Sequence, residues 1–231
     1  MIGGRVVVEN DAEGLARLYQ ARFAPAEVAA KERVWAILCK DFFSRFVKPT
    51  DRVLDVAAGY CEFINNIECA EKYAYDANPD TARFATRGVK LVAGDCRDMS
   101  ALPAASFDVA FVSNFFEHLA SKHEVDVVLR QIFERLRPGG QLLILQPNLR
   151  YVGVRYWDYF DHTVPFTERS MSEGLVKNGY RIKLLIPKWL PYTFKSKLPT
   201  AGWMVRLYLR LPLAWWLLGK QMFVVAQRPE S

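Results

Sequence analysis

The sequence predicts an α/β fold: a seven-stranded, mostly parallel, doubly wound Rossmann-like sheet with the last strand antiparallel, in three α/β/α layers. Two observations carry this. From residue 52 onward, short apolar runs alternate with helical segments, and that alternation builds a parallel sheet covered by helices on both faces. One run, "QLLILQPN" (141–148), is almost wholly apolar, as a central strand buried on both faces should be.

The elements follow in order. Residues 26–47 read as a helix, because Val28, Trp35, Leu38, Phe42 and Phe46 fall near helical spacing and Pro49 stops it. "RVLDVA" (52–57) is the first strand, and the helix after it runs through Phe63, Ile64 and Ile67. "KYAYDA" (72–77) is the second strand; Asn78 then caps a helix that has Pro79 at its first position. "VKLVAGD" (89–95) and "FDVAFVSN" (107–114) are the third and fourth strands. "SKHE" (121–124) is a capping box, followed by an apolar face of Val125, Val128, Leu129, Ile132 and Leu136, and "RPGG" (137–140) ends that helix. After the fifth strand (141–148), "TERSMSEGLVKNGY" (167–180) reads as another helix, and "RIKLLIP" (181–187) and "QMFVVAQ" (221–227) as the sixth and seventh strands.

The reading is therefore one domain over residues 1–231. It has an N-terminal helical cap (1–49), a sheet core (50–187 and 221–228) and a helical insertion (188–220), which Pro212 should split into two short helices. About half the residues are apolar (51%) and about a quarter charged (24%), which suits a globular core. "MIGGRVVVENDAEGL" has neither the long apolar run nor the cleavage site of a secretory signal. The longest uncharged run, 138–149, has 12 residues, against about 20 for a spanning helix. The cysteines (39, 61, 69 and 96) show no CxxC pairing, so free thiols and a cytoplasmic location are expected.

The net charge of +6 is localised. Residues 187–220 hold Lys188, Lys195, Lys197, Arg206, Arg210 and Lys220 with no acid, and the rest of the chain balances 25 bases with 25 acids. That is a patch rather than a nucleic-acid coat.

Ligands of open parallel sheets bind beyond the carboxyl ends of the strands. Here those ends carry Asp55, Asp76, Asp95 and Asn114. Carboxylates repel a pyrophosphate, and neither G-x-G-x-x-G nor a P-loop is present. They suit a cationic ligand with ribose hydroxyls and an exocyclic amine, which describes S-adenosyl-L-methionine. In order and spacing, "VLDVAAGYCEF" (53–63), "AYDANPD" (74–80), "AGDCRDM" (93–99), "FDVAFVSNFFEHL" (107–119) and "LRPGGQLLILQPN" (136–148) resemble the motifs of class I S-adenosylmethionine-dependent methyltransferases.

The resemblance implies a role for each matching position. Asp55 and Gly59 would lie by the methionine part, and Asp76, followed by Ala77, would hold the ribose hydroxyls. Asp95 and the backbone of Cys96 would face the adenine, and Asn114 the sulfonium. Ala57 and Cys61 complete the first turn, where the family prefers glycine. A β-carbon is tolerated there if φ is negative, so Gly59, at the tightest point, is the residue expected to need conformational freedom.

Methyl transfer chiefly requires bringing acceptor and methyl group into line, with removal of a proton from an oxygen or nitrogen acceptor. His162, in "YWDYFDHTVPFT" beyond the fifth strand, is the leading candidate base; Asp161 and His118 are the others. His123 reads as a helix-surface residue. No set of residues has zinc-ligand spacing, so no metal is expected. Tyr156, Trp157 and Tyr159 suggest the wall of an acceptor pocket.

Four of the six tryptophans lie in the 188–220 insertion: Trp189, Trp203, Trp215 and Trp216. Basic, Trp-rich amphipathic segments favour anionic membrane surfaces; a packed lobe over the cleft or a homodimer contact is the alternative. "DHTVPFT" and "IPKWLPYTFKSKLP" loosely resemble bacterial methyltransferases of surface-polysaccharide or lipid-linked glycan synthesis. The expected activity is O-methylation of a small molecule or glycan in polysaccharide biosynthesis, at the inner membrane surface if the insertion docks there. A non-catalytic scaffold and an N-methyltransferase are the alternatives. "SNFF" (113–116) is not the NPPY-like tetrapeptide of base-amine methylation, so no nucleic-acid partner is expected.

Overall fold

A computed structural model describes residues 25–192 and 201–230. Helix α1 (Pro25–Asp41) continues into a 3-10 turn at Phe43–Arg45, so the helical stretch ends slightly before the limit set by Pro49. Then come β1 (Arg52–Val56), α2 (Glu62–Asn66), β2 (Glu71–Asp76), β3 (Val89–Ala93), β4 (Phe107–Ser113), α3 (Lys122–Arg135), β5 (Leu136–Pro147), α4 (Leu149–Val152), α5 (Glu168–Lys177), β6 (Arg181–Leu190), α6 (Gly202–Arg210), α7 (Pro212–Leu218) and β7 (Gln221–Gln227). The seven strands form one sheet in the order β3-β2-β1-β4-β5-β7-β6. The pairs from β3 to β5 are parallel, and β7 runs antiparallel to both of its neighbours.

Side chains alternate between the faces of a strand, and two buried cores result. On one face, Leu54, Val56, Val112 and Ile144 pack against the apolar stripe of α3 and against Met171 and Leu175 of α5. On the other, Val53, Phe111, Leu143 and Phe223 pack against Trp35 and Leu38 of α1, Phe63 of α2 and Leu209 of α6. The second core is densely aromatic: Phe63 stacks on Phe111 with ring centroids 3.8 Å apart, and Phe42 on Trp189 at 4.1 Å. Such pairs add about 0.5–1.5 kcal/mol beyond the area they bury.

Three local differences from the sequence reading have physical causes. α3 ends at Arg135, and "RPGG" belongs to β5, where the pairing with β4 shifts register between Phe107 and Val109. A β-carbon on Gly140 would lie 2.9 Å from the Arg137 carbonyl oxygen and 3.0 Å from that of Phe107, so glycine permits this close approach. The segment after Asn78 is a short 3-10 turn (Pro79–Arg83) rather than an α-helix. β6 runs on to Leu190, which makes Lys188 and Trp189 sheet residues rather than part of the insertion. The insertion does split at Pro212, which opens α7. Residues 1–24, and Lys195 and Lys197, lie outside the described residues.

Candidate active site at the carboxyl edge of the sheet

The turn after β1 has an unusual backbone. Ala57, Gly59 and Cys61 all adopt positive φ, at 55°, 51° and 58°. The freedom expected at Gly59 alone is thus required at all three positions, and two are filled by residues that bear a β-carbon. The left-handed conformation costs an L-residue about 1–2 kcal/mol. Hydrogen bonds hold the turn: Ala57 N–H donates to the Tyr75 carbonyl at 2.8 Å and Cys61 N–H to that of Ala58 at 2.7 Å.

Two aspartates brace it. Asp76 accepts from Gly59 N–H and Asn78 N–H, one at each oxygen and both at 2.7 Å, so the end of β2 is tied to the turn above β1. Burial raises its pKa, and these two N–H groups oppose the rise. Asp55 is only 4% exposed. It sits beneath the turn, accepts the N–H of Ile64 in α2, and has a pKa raised well above the usual carboxylate range by burial. Cys61, the residue before α2, makes no capping bond of its own, and Asp55 satisfies one of the helix's open N–H groups in its place. Asp55 thus supports the loop from inside, directly beneath the place expected for the methionine part.

The other edge residues differ in exposure. Ala77 is exposed directly after β2. Asp95 is exposed but engaged by the Arg97 guanidinium at 2.9–3.0 Å, which holds its carboxyl below the usual range; Arg97 reaches on to Glu124 at 3.0 Å. Cys96 is buried, and burial pushes its thiol pKa up. Asn114, at φ 48°, ends β4 exposed, with its N–H on the Leu145 carbonyl.

Past Asn114, a 3-10 turn (Phe116–His118) meets the segment after β5. Thr163 N–H donates to the Glu117 carbonyl at 2.8 Å and Val164 N–H to the same oxygen at 3.2 Å. This junction gathers the three candidate acid–base residues. Asp161 contacts His118, with Oδ2 3.1 Å and the backbone carbonyl 3.2 Å from Nδ1. The His118 and His162 rings lie 5.0 Å apart at their centroids. Burial works against a proton on His118, but Asp161 and Glu117 outweigh it and raise its pKa. His162 is 8% exposed and stacks on Tyr159 at 4.9 Å.

Glu117 is a functional candidate that the sequence reading missed. It is 1% exposed and accepts Gln146 Nε2 at 2.7 Å; burial raises its pKa. The available signal was an acid flanked by apolar residues in "FFEHL", paired with a lone Gln in an apolar strand.

The aromatic segment divides. Tyr156 is fully buried and donates its hydroxyl to the Val164 carbonyl at 2.6 Å, so it fastens the loop from within. Trp157 is half exposed, Tyr159 is partly buried and Phe160 is 96% exposed. All four cysteines are free.

The arrangement fits S-adenosylmethionine. Each Asp76 oxygen keeps acceptor capacity beyond its one backbone donor, which suits a ribose diol, and the position a Gly59 side chain would take is open, with nothing within 4 Å. Residues 54–144 match the family model described as a methyltransferase domain. Solved structures share the fold. An Archaeoglobus fulgidus SAM-dependent methyltransferase is 20% identical, with 85% of this chain and 94% of that one covered and a TM-score of 0.63. A Haloferax volcanii methyltransferase, solved with the activator Trm112, is 16% identical over 96% and 99%, with a TM-score of 0.66. A Thermotoga maritima SAM-dependent methyltransferase, described as a candidate histamine N-methyltransferase, is 15% identical over 94% and 97%, with a TM-score of 0.65. No curated protein matches the chain. The strand order, the acid-braced turn after β1 and the match of residues 54–144 to a methyltransferase domain agree, and the chain resembles the class I S-adenosylmethionine-dependent methyltransferases in fold.

Proposed function

We propose that this enzyme methylates a hydroxyl group of a glycan or other small polar acceptor. One observation carries the reading. The Asp161–His118–His162 cluster stands at the same sheet edge as the cofactor turn, because β4 and β5, which lead into it, run parallel to β1. The cofactor supplies a methyl carbon activated by its sulfonium. Asp76 orients the ribose, and Asn114 marks the side of the reacting group. The histidine cluster handles the hydroxyl proton, and exposed Trp157 and Phe160 offer faces on which a sugar ring can stack. As the acceptor oxygen bonds to the methyl carbon, the carbon–sulfur pair returns to sulfur and the hydroxyl proton passes to the cluster.

Incubating the enzyme with methyl-labelled cofactor and panels of sugars, phenols and amines tests this. Label in an O-methyl ether is the expected result, and label only on nitrogen would overturn it. His118→Asn should lower kcat by about 10²–10⁴-fold with cofactor affinity unchanged in calorimetry.

The α6–α7 pair supports a lipid-linked or membrane-proximal acceptor. Trp203 (64% exposed), Leu213 (70%), Trp216 (64%) and Leu217 (62%) present apolar surface, with Arg210 and Lys220 nearby in sequence and Arg206 paired with Asp41 at 3.2 Å. Among the described residues no helix is long and apolar enough to cross a membrane, so this is a surface contact. Each cation contributes about 1 kcal/mol at an anionic surface. Cosedimentation with phosphatidylglycerol vesicles but not phosphatidylcholine vesicles is expected. A Trp203→Ala/Trp216→Ala variant should lose most of that binding; equal binding by this variant would reject the contact.

A further inference from the structure

Glu117, His118 and His162 each place one donor atom, a carboxylate oxygen or a ring nitrogen, so that all three lie within 4.8 Å of one another. They come from two segments that the Thr163 and Val164 bonds to the Glu117 carbonyl lock together. We propose that these three residues form a divalent-cation site, which binds the acceptor hydroxyl through the cation's open coordination positions. This revises the expectation of no metal, and it rests on the hydroxyl-acceptor reading above.

The surrounding groups match what such a site needs. Metal-binding histidines generally give their second nitrogen to a carboxylate or carbonyl, which fixes the ring and its tautomer. His118 does this: Nδ1 faces both the Asp161 carboxylate and the Asp161 carbonyl, leaving Nε2 as the nitrogen for an ion. Ligating carboxylates are likewise held by hydrogen bonds, and Gln146 Nε2 holds one Glu117 oxygen at 2.7 Å. A carboxylate has lone pairs beyond this one donor, so the group keeps capacity to coordinate an ion. Gln146 is itself fully buried.

The electrostatics point the same way. Glu117 is an almost fully buried carboxylate, and a buried charge is costly unless it is paired or coordinates a metal. The nearby groups are Asp161, which adds negative charge, and the two imidazoles. A dication would neutralise both carboxylates without a proton on either ring. Two imidazoles and one carboxylate form the donor set of open catalytic sites for zinc, iron and related first-row dications. With bonds of about 2.1 Å, one ion can reach three ligand atoms that lie this close together.

The chemical gain is specific. An aliphatic hydroxyl is a poor nucleophile because it holds its proton, and coordination to a dication strongly lowers the pKa of a bound O–H. The acceptor oxygen would reach the methyl carbon as a metal-held alkoxide, with its proton released beforehand to Asp161 or solvent. His118 and His162 then act as ligands, and the cation takes over the proton-lowering role.

The test begins with chelator-treated enzyme titrated with Mn²⁺, following the electron paramagnetic resonance signal of the free ion, and with Zn²⁺ by calorimetry. One site per chain is expected. Glu117→Gln and His162→Gln should each weaken it at least tenfold, and Asp161→Asn by about 10–100-fold. Circular dichroism and cofactor calorimetry would verify folding of each variant; if Glu117→Gln fails to fold, the two other variants carry the test. No saturable binding, or binding that these variants leave unchanged, overturns the proposal. O-methylation undiminished by chelator, with no metal binding, would sink the cation site and leave the hydroxyl reading standing. Metal bound at the cluster with methyl transferred only to amines would do the reverse.

Discussion

Ala57 and Cys61 look alike in backbone and differ in consequence. Both hold φ above 50°. Ala57→Gly removes a strain of about 1–2 kcal/mol, while the extra freedom of glycine in the unfolded chain costs about 0.5–1 kcal/mol. The expected net is a gain of about 0.5–1 kcal/mol, read as a higher urea midpoint. Cys61 is completely buried, and burial with nearby acids pushes its thiol up to about 12, so it is a packed neutral group. Cys61→Gly relieves the same strain but opens a void, and no gain in midpoint is expected. Asp55 gives a pH signature. Its folded pKa is raised, so its contribution is fully present below the ordinary carboxylate value and lost as pH climbs toward the folded one. Over that window stability falls by about 1.4 kcal/mol per pH unit. Asp55→Asn keeps an acceptor for Ile64 and should flatten that slope; unfolding curves of both proteins between pH 4 and 8 would show parallel slopes if the reading is wrong.

At the scale of elements, the strands were legible because a buried strand announces itself as an apolar run bounded by turn residues. The late "QMFVVAQ" run is β7, residue for residue. The "RPGG" segment was misjudged because Pro-Gly-Gly stops helices and also fits a register shift in a strand. In the site, chain adjacency is no guide to contact: Asp161 neighbours His162 in sequence, and its carboxylate meets His118 from another loop. Sequence spacing carries no record of such cross-loop contacts, and neither the burial of Glu117 nor the left-handed turn at Ala57 is written in residue type. Asn148 illustrates the same limit. It is fully buried, and its side-chain amide bonds Glu168 at 2.9 Å and the Pro187 carbonyl at 3.0 Å, joining the segments around α5 and β6. Asn148→Leu takes the side-chain donor from that carbonyl, leaves Glu168 with Arg150 as its partner, and should cost about 1–3 kcal/mol, measurable as a lower melting temperature.

For the whole molecule, the aromatic core joins the N-terminal helical region to the far side of the sheet. Phe223 of β7 contacts Phe42 at 5.1 Å and Trp189 of β6 at 5.1 Å between ring centroids. Phe223→Ala should destabilise the protein by about 3–5 kcal/mol in chemical denaturation. A loss under 1 kcal/mol would mean this core does not couple the two regions.

The position of β7 has a consequence for how the protein is made. Among the described residues β6 is held in the sheet only through β7, which emerges from the ribosome after the whole of 191–220. Until then β5 displays a bare flank and β6 has no place to pair. A nascent chain stalled before residue 221 should therefore be digested readily between 181 and 218, and one stalled well past 228 should resist.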